Sequence, residues 1–167
     1  MIPDESEKDR IRRWESQASP AVQGKGIFYD DTESVYSWES FVYLLDEEVK
    51  KGKRYDLSFS ILKMTLSPVS GNRDDQGLKT CFDALVHCSG KELRESDILG
   101  FMGEFQLGVI LPQTDATNAA IAQSRLMERL NFRNRGYELK IDRICFPADG
   151  SNIIELMSSL RKKKGSG

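Results

Sequence analysis

The stretch ILGFMGEFQLGVILP, Ile98 to Pro112, constrains the fold more than any other part of this chain. Asp97–Met102 and Gln106–Leu111 read as two short strands folded back around Gly103. Glycine suits that place because it accepts the positive φ that tight turns demand, and Pro112 ends the second strand. A hairpin of this kind requires a sheet, so the flanking segments are read for its other strands and its covering helices.

Upstream, Ser40–Lys51 carries Phe41, Leu44, Leu45 and Val49 at helical spacing, with Asp46–Lys50 and Glu47–Lys51 as i,i+4 pairs and Gly52 as the expected stop. YDLSFSILKM then alternates as a strand that puts Leu57, Phe59 and Ile61 on one face. SPVSGNRDDQG has loop composition, and Leu78, Cys81, Phe82, Leu85 and Val86 form a second helical stripe. Downstream, Asp115 caps a third helix with Ala119, Ala122, Leu126 and Leu130 on one side. YELKIDRICFP is a further strand, and Ile153–Leu160 a last helix. The aromatic residues Phe28, Tyr29, Tyr36 and Trp38 are expected to pack the first helix. The fold class this order predicts is α+β, with helices packed on a mostly antiparallel sheet.

Length and charge narrow what such a domain does. The 167 residues are enough for one core, read here as residues 28–162 between a polar N-terminal tail or linker (1–27, with a helix expected over Glu5–Gln17 whose apolar Ile11 and Trp14 are too few for a coiled coil) and a short C-terminal tail or expression remnant at 163–167. A formal net charge of −2 supplies no field to hold nucleic acid or an anionic membrane surface, so a small anionic ligand needs a local group of arginines. No run reaches the roughly 20 apolar residues of a membrane helix, and the charged N-terminus does not read as a secretory signal. Cys81, Cys88 and Cys145 form no CxxC pair and are expected as reduced thiols, which suits a cytoplasmic setting; Cys81, His87 and Cys88 have the wrong spacing for zinc.

From about Asp30 to Leu160 the chain resembles the GGDEF domain of diguanylate cyclases, the bacterial enzymes that join two GTP into cyclic di-GMP. The family pattern is an RxSD, five residues, GGDEF, then a strand ending in Leu-Pro. Here Arg94-Glu-Ser-Asp97 is followed after five residues by Gly103-Glu104-Phe105-Gln106-Leu107 and then Gly-Val-Ile-Leu-Pro112, without a gap. CFPADG, Cys145–Gly150, is similar to the family's Tyr-Pro-x-Asp-Gly, and Phe41 stands where the family has a phenylalanine on its first helix. The resemblance implies a nucleotide-cyclase palm-like domain.

It also implies a domain that has lost catalysis. Family cyclases hold two divalent cations with carboxylates, because charge developing on the phosphates must be neutralised. The first of those positions reads Lys63-Met64-Thr65-Leu66-Ser67, and a protonated lysine repels a cation. The hairpin carboxylates are replaced by Phe105 and Gln106; Glu104, one place early in the strand register, is expected as a turn residue. Asn72, Asp74 and Asp75 read as a solvated turn in place of the family's guanine-reading residues. No catalytic residue, metal or cofactor is therefore expected.

The resemblance leaves one site in register. The family's RxxD binds cyclic di-GMP outside the active site, and it falls on Arg94 and Asp97, with a secondary arginine at Arg125. Arginine can donate to guanine O6 and N7 together and stack on bases, and aspartate can accept from the other guanine edge. With 12 Arg and 13 Asp in the chain, chance alone supplies about one RxxD, so the weight lies in its placement before Gly103. The implied function is a non-catalytic cyclic di-GMP receptor. It would signal through a ligand-bridged homodimer, an effector protein or further domains. The alternative is a protein-interaction scaffold that no longer binds nucleotide.

Overall fold

A computed structural model describes residues 28–30, 33–69, 75–130 and 136–162. The helix expected over Glu5–Gln17, the turn residues Asn72 and Asp74 and the C-terminal tail lie outside the described residues. The elements are β1 (Phe28–Asp30), β2 (Glu33–Tyr36), α1 (Trp38–Tyr55), β3 (Phe59–Pro68), α2 (Asp75–Glu92), β4 (Ile98–Gly103), β5 (Gln106–Leu111), α3 (Ala116–Arg129), β6 (Tyr137–Phe146) and α4 (Ile153–Lys162). They form one sheet in the order β1-β2-β4-β5-β3-β6. All of its pairings are antiparallel except β2 with β4, which is parallel and joins Val35 to Leu99 and Tyr36 to Gly100.

The sheet is covered on both faces, so β3 is buried at Phe59 through Met64 with no alternation of exposure. Phe41 of α1 lies against Gly100 and Gly108 on one face, where α4 also packs against α1. Ser89 of α2 approaches Met64 on the other face. There α3 is tied to the edge strand β6, Gln123 donating to the Ile141 carbonyl at 2.6 Å and accepting from Arg143 at 2.6 Å. Among the described residues, no helix is long and apolar enough to cross a membrane.

Two expected boundaries move, for packing reasons. Gly52 does not stop α1; the helix continues to Tyr55 and ends at Asp56, whose left-handed backbone (φ 54°) returns its N–H to the Gly52 carbonyl. Gly52 is buried inside the helix because a Cβ there would come 2.5 Å from the Phe146 ring and 2.9 Å from the Leu57 carbonyl. Tyr55–Leu57 therefore belongs to the helix end and its cap, and β3 starts at Phe59, whose ring stacks on Phe146 at 5.0 Å. Strands β1 and β2 are additional to the expected pattern. Trp38 is buried at the start of α1 and Tyr36 packs against the core, while the side chains of Phe28 and Tyr29 lie outside those described.

The α4 start carries a reciprocal cap. Asn152 Oδ1 accepts from the Glu155 N–H at 2.9 Å, and Glu155 Oε2 accepts from the Ser151 N–H at 2.7 Å and its hydroxyl at 2.9 Å. The backbone and hydroxyl donors of Ser151 hold the Glu155 carboxyl below its ordinary value of 4.5. A depressed carboxyl gives stability that is present above the unfolded value and fades as pH falls through the folded one. Glu155→Gln is thus expected to flatten the stability curve below about pH 4.5 relative to the parent chain. Urea titrations at pH 7 and at acid pH check this, and an unchanged pH difference would remove the cap from the account.

Candidate functional site

The hairpin β4–β5 turns through Glu104 and Phe105, with Gly103 paired to Gln106. The residue with positive φ is Phe105, at 57°, and not Gly103, which corrects the role expected for the glycine. A left-handed non-glycine residue costs roughly 1–2 kcal/mol. Tertiary contacts offset that cost. The Phe105 ring meets Phe82 of α2 edge-on at 5.7 Å, and the Phe105 carbonyl accepts from the Leu66 N–H at 3.0 Å. The hairpin tip is thereby fastened to α2 and to the end of β3. Glu104 is exposed in the turn, as expected.

The three positions where the family resemblance expects cation-holding carboxylates carry no acid. Lys63 is buried in mid-strand, opposite Gly108 on β5 and Asp142 on β6. Gln106 pairs with Thr65. Among the described residues, no three His, Cys, Asp or Glu side chains gather as a metal site would need.

Arg94, Asp97 and Arg125 come together at the turn that leads from α2 into β4. That turn closes by the Asp97 N–H donating to the Arg94 carbonyl at 3.0 Å, while the Arg94 N–H donates to Asp97 Oδ2 at 2.8 Å. Arg94 Nη2 stands 3.5 Å from Asp97 Oδ1 and donates to Thr114 Oγ1 at 3.1 Å. Arg125, from the outer face of α3, donates to the Glu92 carbonyl at 3.3 Å, and Arg129 one turn on pairs with the Glu92 carboxylate at 3.5 Å. α3 is aimed here by its Asp115 cap, which accepts from the Asn118 N–H at 2.9 Å, and by the buried Ala119 and Leu126.

The two halves of the RxxD differ in access. The Arg94 side chain is 61% exposed, whereas that of Asp97 is 1% exposed. Asp97 is turned into the structure by its bond to the Arg94 amide, so the two side chains are not presented to solvent together. Its Oδ1 has no hydrogen bond, the Arg94 contact being an ion pair of poor geometry. Sequence reasoning missed Thr114, Glu92 and Arg129. Thr114 sits between Pro112 and the Asp115 cap and carries no motif; only the return of the chain beside Arg94 reveals it.

No protein-family model matches the chain, and no curated protein matches it in sequence. Solved structures do. A sensory box/GGDEF family protein from Caulobacter crescentus is 16% identical with a TM-score of 0.67, over 83% of this chain and 98% of that one. The GGDEF domain of TpbB (YfiN) from Pseudomonas aeruginosa is 14% identical with a TM-score of 0.63, over 82% and 89%. The GGDEF domain of DgcB from C. crescentus, solved in complex with c-di-GMP, is 11% identical with a TM-score of 0.65, over 86% and 93%. The fold of this chain is that of the GGDEF domain.

Proposed function

We infer that this domain is a non-catalytic receptor for cyclic di-GMP, bound at the turn between α2 and β4. The observation that carries the reading is the convergence of Arg94 and Arg125, from separate elements, on a turn whose Asp97 keeps one carboxylate oxygen without a hydrogen bond. Two guanidinium groups suit a ligand with two phosphates and two stackable bases. Arg94 would address a guanine edge, Arg125 a phosphate or base face, and Asp97 Oδ1 the second guanine edge once Arg94 has shifted onto the ligand. The DgcB domain, which shares the fold, was solved with the same dinucleotide. The replacements at Lys63, Phe105 and Gln106 support the absence of catalysis, because a cyclase must neutralise phosphate charge where this chain has an amine, a ring and an amide. Ligand binding would reach a partner or a second copy by favouring one of two states of the protein.

Titration calorimetry with cyclic di-GMP tests the reading. The parent chain is expected to bind at micromolar concentration or tighter, Arg94→Ala to lose binding, and Arg125→Ala to weaken it about tenfold, as loss of a charge-assisted contact would. GTP with magnesium is expected to give no product. A second reading, a scaffold that no longer binds nucleotide, is favoured by the 1% exposure of the Asp97 side chain. A folded parent chain that gives no binding heat would select it.

A further inference from the structure

Thr114 is placed to govern how readily Arg94 engages a ligand, an inference that rests on the receptor reading above. Its hydroxyl does two things at once, accepting from Arg94 Nη2 at 3.1 Å and donating to the Pro112 carbonyl at 2.9 Å. Thr114 itself is 4% exposed. Its carbonyl accepts from the Ser60 hydroxyl on β3 at 2.7 Å, and Ser60 is fully buried and also in contact with Cys145 Sγ at 3.2 Å. The acceptor that holds Arg94 is therefore anchored through the central strand, while Arg94 stands on an exposed turn.

Which nitrogen is held decides the consequence. A guanidinium presents two forks of parallel N–H groups, one from Nε with Nη2 and one from Nη1 with Nη2. Nη2 belongs to both forks. In this structure Nη2 is the atom that donates to Thr114 and faces Asp97 Oδ1 at 3.5 Å. With one Nη2 proton given to Thr114, one fork of Arg94 is incomplete, and the other is crowded by Asp97 Oδ1 at 3.5 Å, although most of the side chain is exposed. Bidentate recognition of guanine O6 and N7 needs one complete fork. The ligand and Thr114 thus compete for a proton on the same nitrogen.

We propose that Thr114 is a latch on Arg94, a residue that sets ligand affinity by competing with the guanine edge for Nη2. The same release serves the carboxylate, since Asp97 Oδ1 is buried without a hydrogen bond beside the guanidinium that moves. The latched form is then the ligand-free state, and binding exchanges the Thr114 contact for the nucleotide. An intrinsic preference for the latched form lowers apparent affinity by the fraction of molecules not competent to bind.

The test is calorimetry with cyclic di-GMP on the parent chain, Thr114→Val, Thr114→Ser and Arg94→Ala, with urea denaturation of each. Thr114→Val removes the acceptor at constant shape and is expected to bind about fivefold more tightly, the worth of one exchanged hydrogen bond. It is also expected to be less stable, because the Pro112 carbonyl loses its donor. A purely structural role would lower stability without raising affinity. Thr114→Ser keeps the hydroxyl and is expected to keep the parent affinity. Binding by the parent and by Thr114→Val with equal or weaker affinity in the variant would overturn the latch while leaving the receptor reading in place. An absence of binding in all the variants and the parent would overturn both.

Discussion

Replacing Gly100 with alanine is expected to destabilise the domain by about 2–3 kcal/mol. Gly100 on β4 pairs directly with Gly108 on β5, and the Phe41 ring of α1 lies across the two. A Cβ on Gly100 would come 2.5 Å from Phe41 Cδ2 and 2.8 Å from both its Cβ and Cγ; a Cβ on Gly108 would meet Phe41 Cζ at 2.6 Å. Alanine in place of a strand glycine otherwise gains roughly 0.5–1 kcal/mol through lower chain entropy. The clash wins because Phe41 is fully buried and its own Cβ, fixed by the helix, is among the atoms struck. Gly103→Ala is the contrast. Its Cβ would meet only the far end of the flexible Gln106 side chain, at 2.8 Å, so a change within about 0.5 kcal/mol is expected. Urea midpoints at unchanged slope measure both. Adding Phe41→Leu to Gly100→Ala should cost less than the sum of the two single changes. A Gly100→Ala protein as stable as the parent would mean that α1 does not seat on the sheet through this pair.

Lys63→Asp is the second large effect. It restores the acid that the cyclase resemblance places on the central strand, and the expected result is a damaged fold with no turnover of GTP. Asp142 stands directly opposite Lys63 in the β3–β6 ladder, and the two residues are 9% and 5% exposed. Opposed Cβ atoms in such a ladder are about 4.5–5.5 Å apart. Two carboxylates so placed repel one another and have lost solvent, which is expected to cost about 3–5 kcal/mol near neutral pH. The sign with pH follows from the pair. Repulsion and burial raise the folded-state value of one carboxyl, so the folded protein binds the extra proton first. Stability should recover as pH falls through that raised value toward the unfolded value of about 3.9. Lys63→Asn has the shape of aspartate without its charge, so it should cost less and lack this recovery. Thermal unfolding across pH, with and without magnesium, separates the cases. Parent-like stability of Lys63→Asp together with a magnesium-dependent rise in Tm would show that the sheet still accepts a cation there, and the expected repulsion with Asp142 would then be wrong.

On the non-catalytic reading proposed above, the place of Lys63 gives a reason why one substitution would not restore turnover. Its neighbours are a glycine that seats Phe41 and an aspartate on the edge strand, and one of the hairpin positions where the resemblance expects an acid is Gln106, opposite Thr65. Phe105, beside it, is tied to Phe82. Lys63 and Phe105 thus sit in close-packed surroundings, and an acid placed at either would have to be accommodated by those neighbours.

The order of helices and strands from residue 40 onward, the hairpin and the Asp115 cap were legible in the sequence, because they follow from short-range periods and capping chemistry that act within a few residues, whereas Arg94, Asp97 and Arg125 were singled out by the family resemblance. Tertiary structure alone decided the rest. β1 and β2 are too short to carry a period, and β2 becomes a strand by pairing in parallel with the distant β4. Gly52 stays inside α1, against its own propensity, because Phe146 leaves no room for a side chain, and Phe105 takes the left-handed turn because Phe82 holds its ring. Likewise Thr114 meets Arg94 only when the hairpin brings the chain back past the end of α2. Close packing and hydrogen bonding between segments far apart in the chain set these outcomes, and neither is written in the local pattern of either segment.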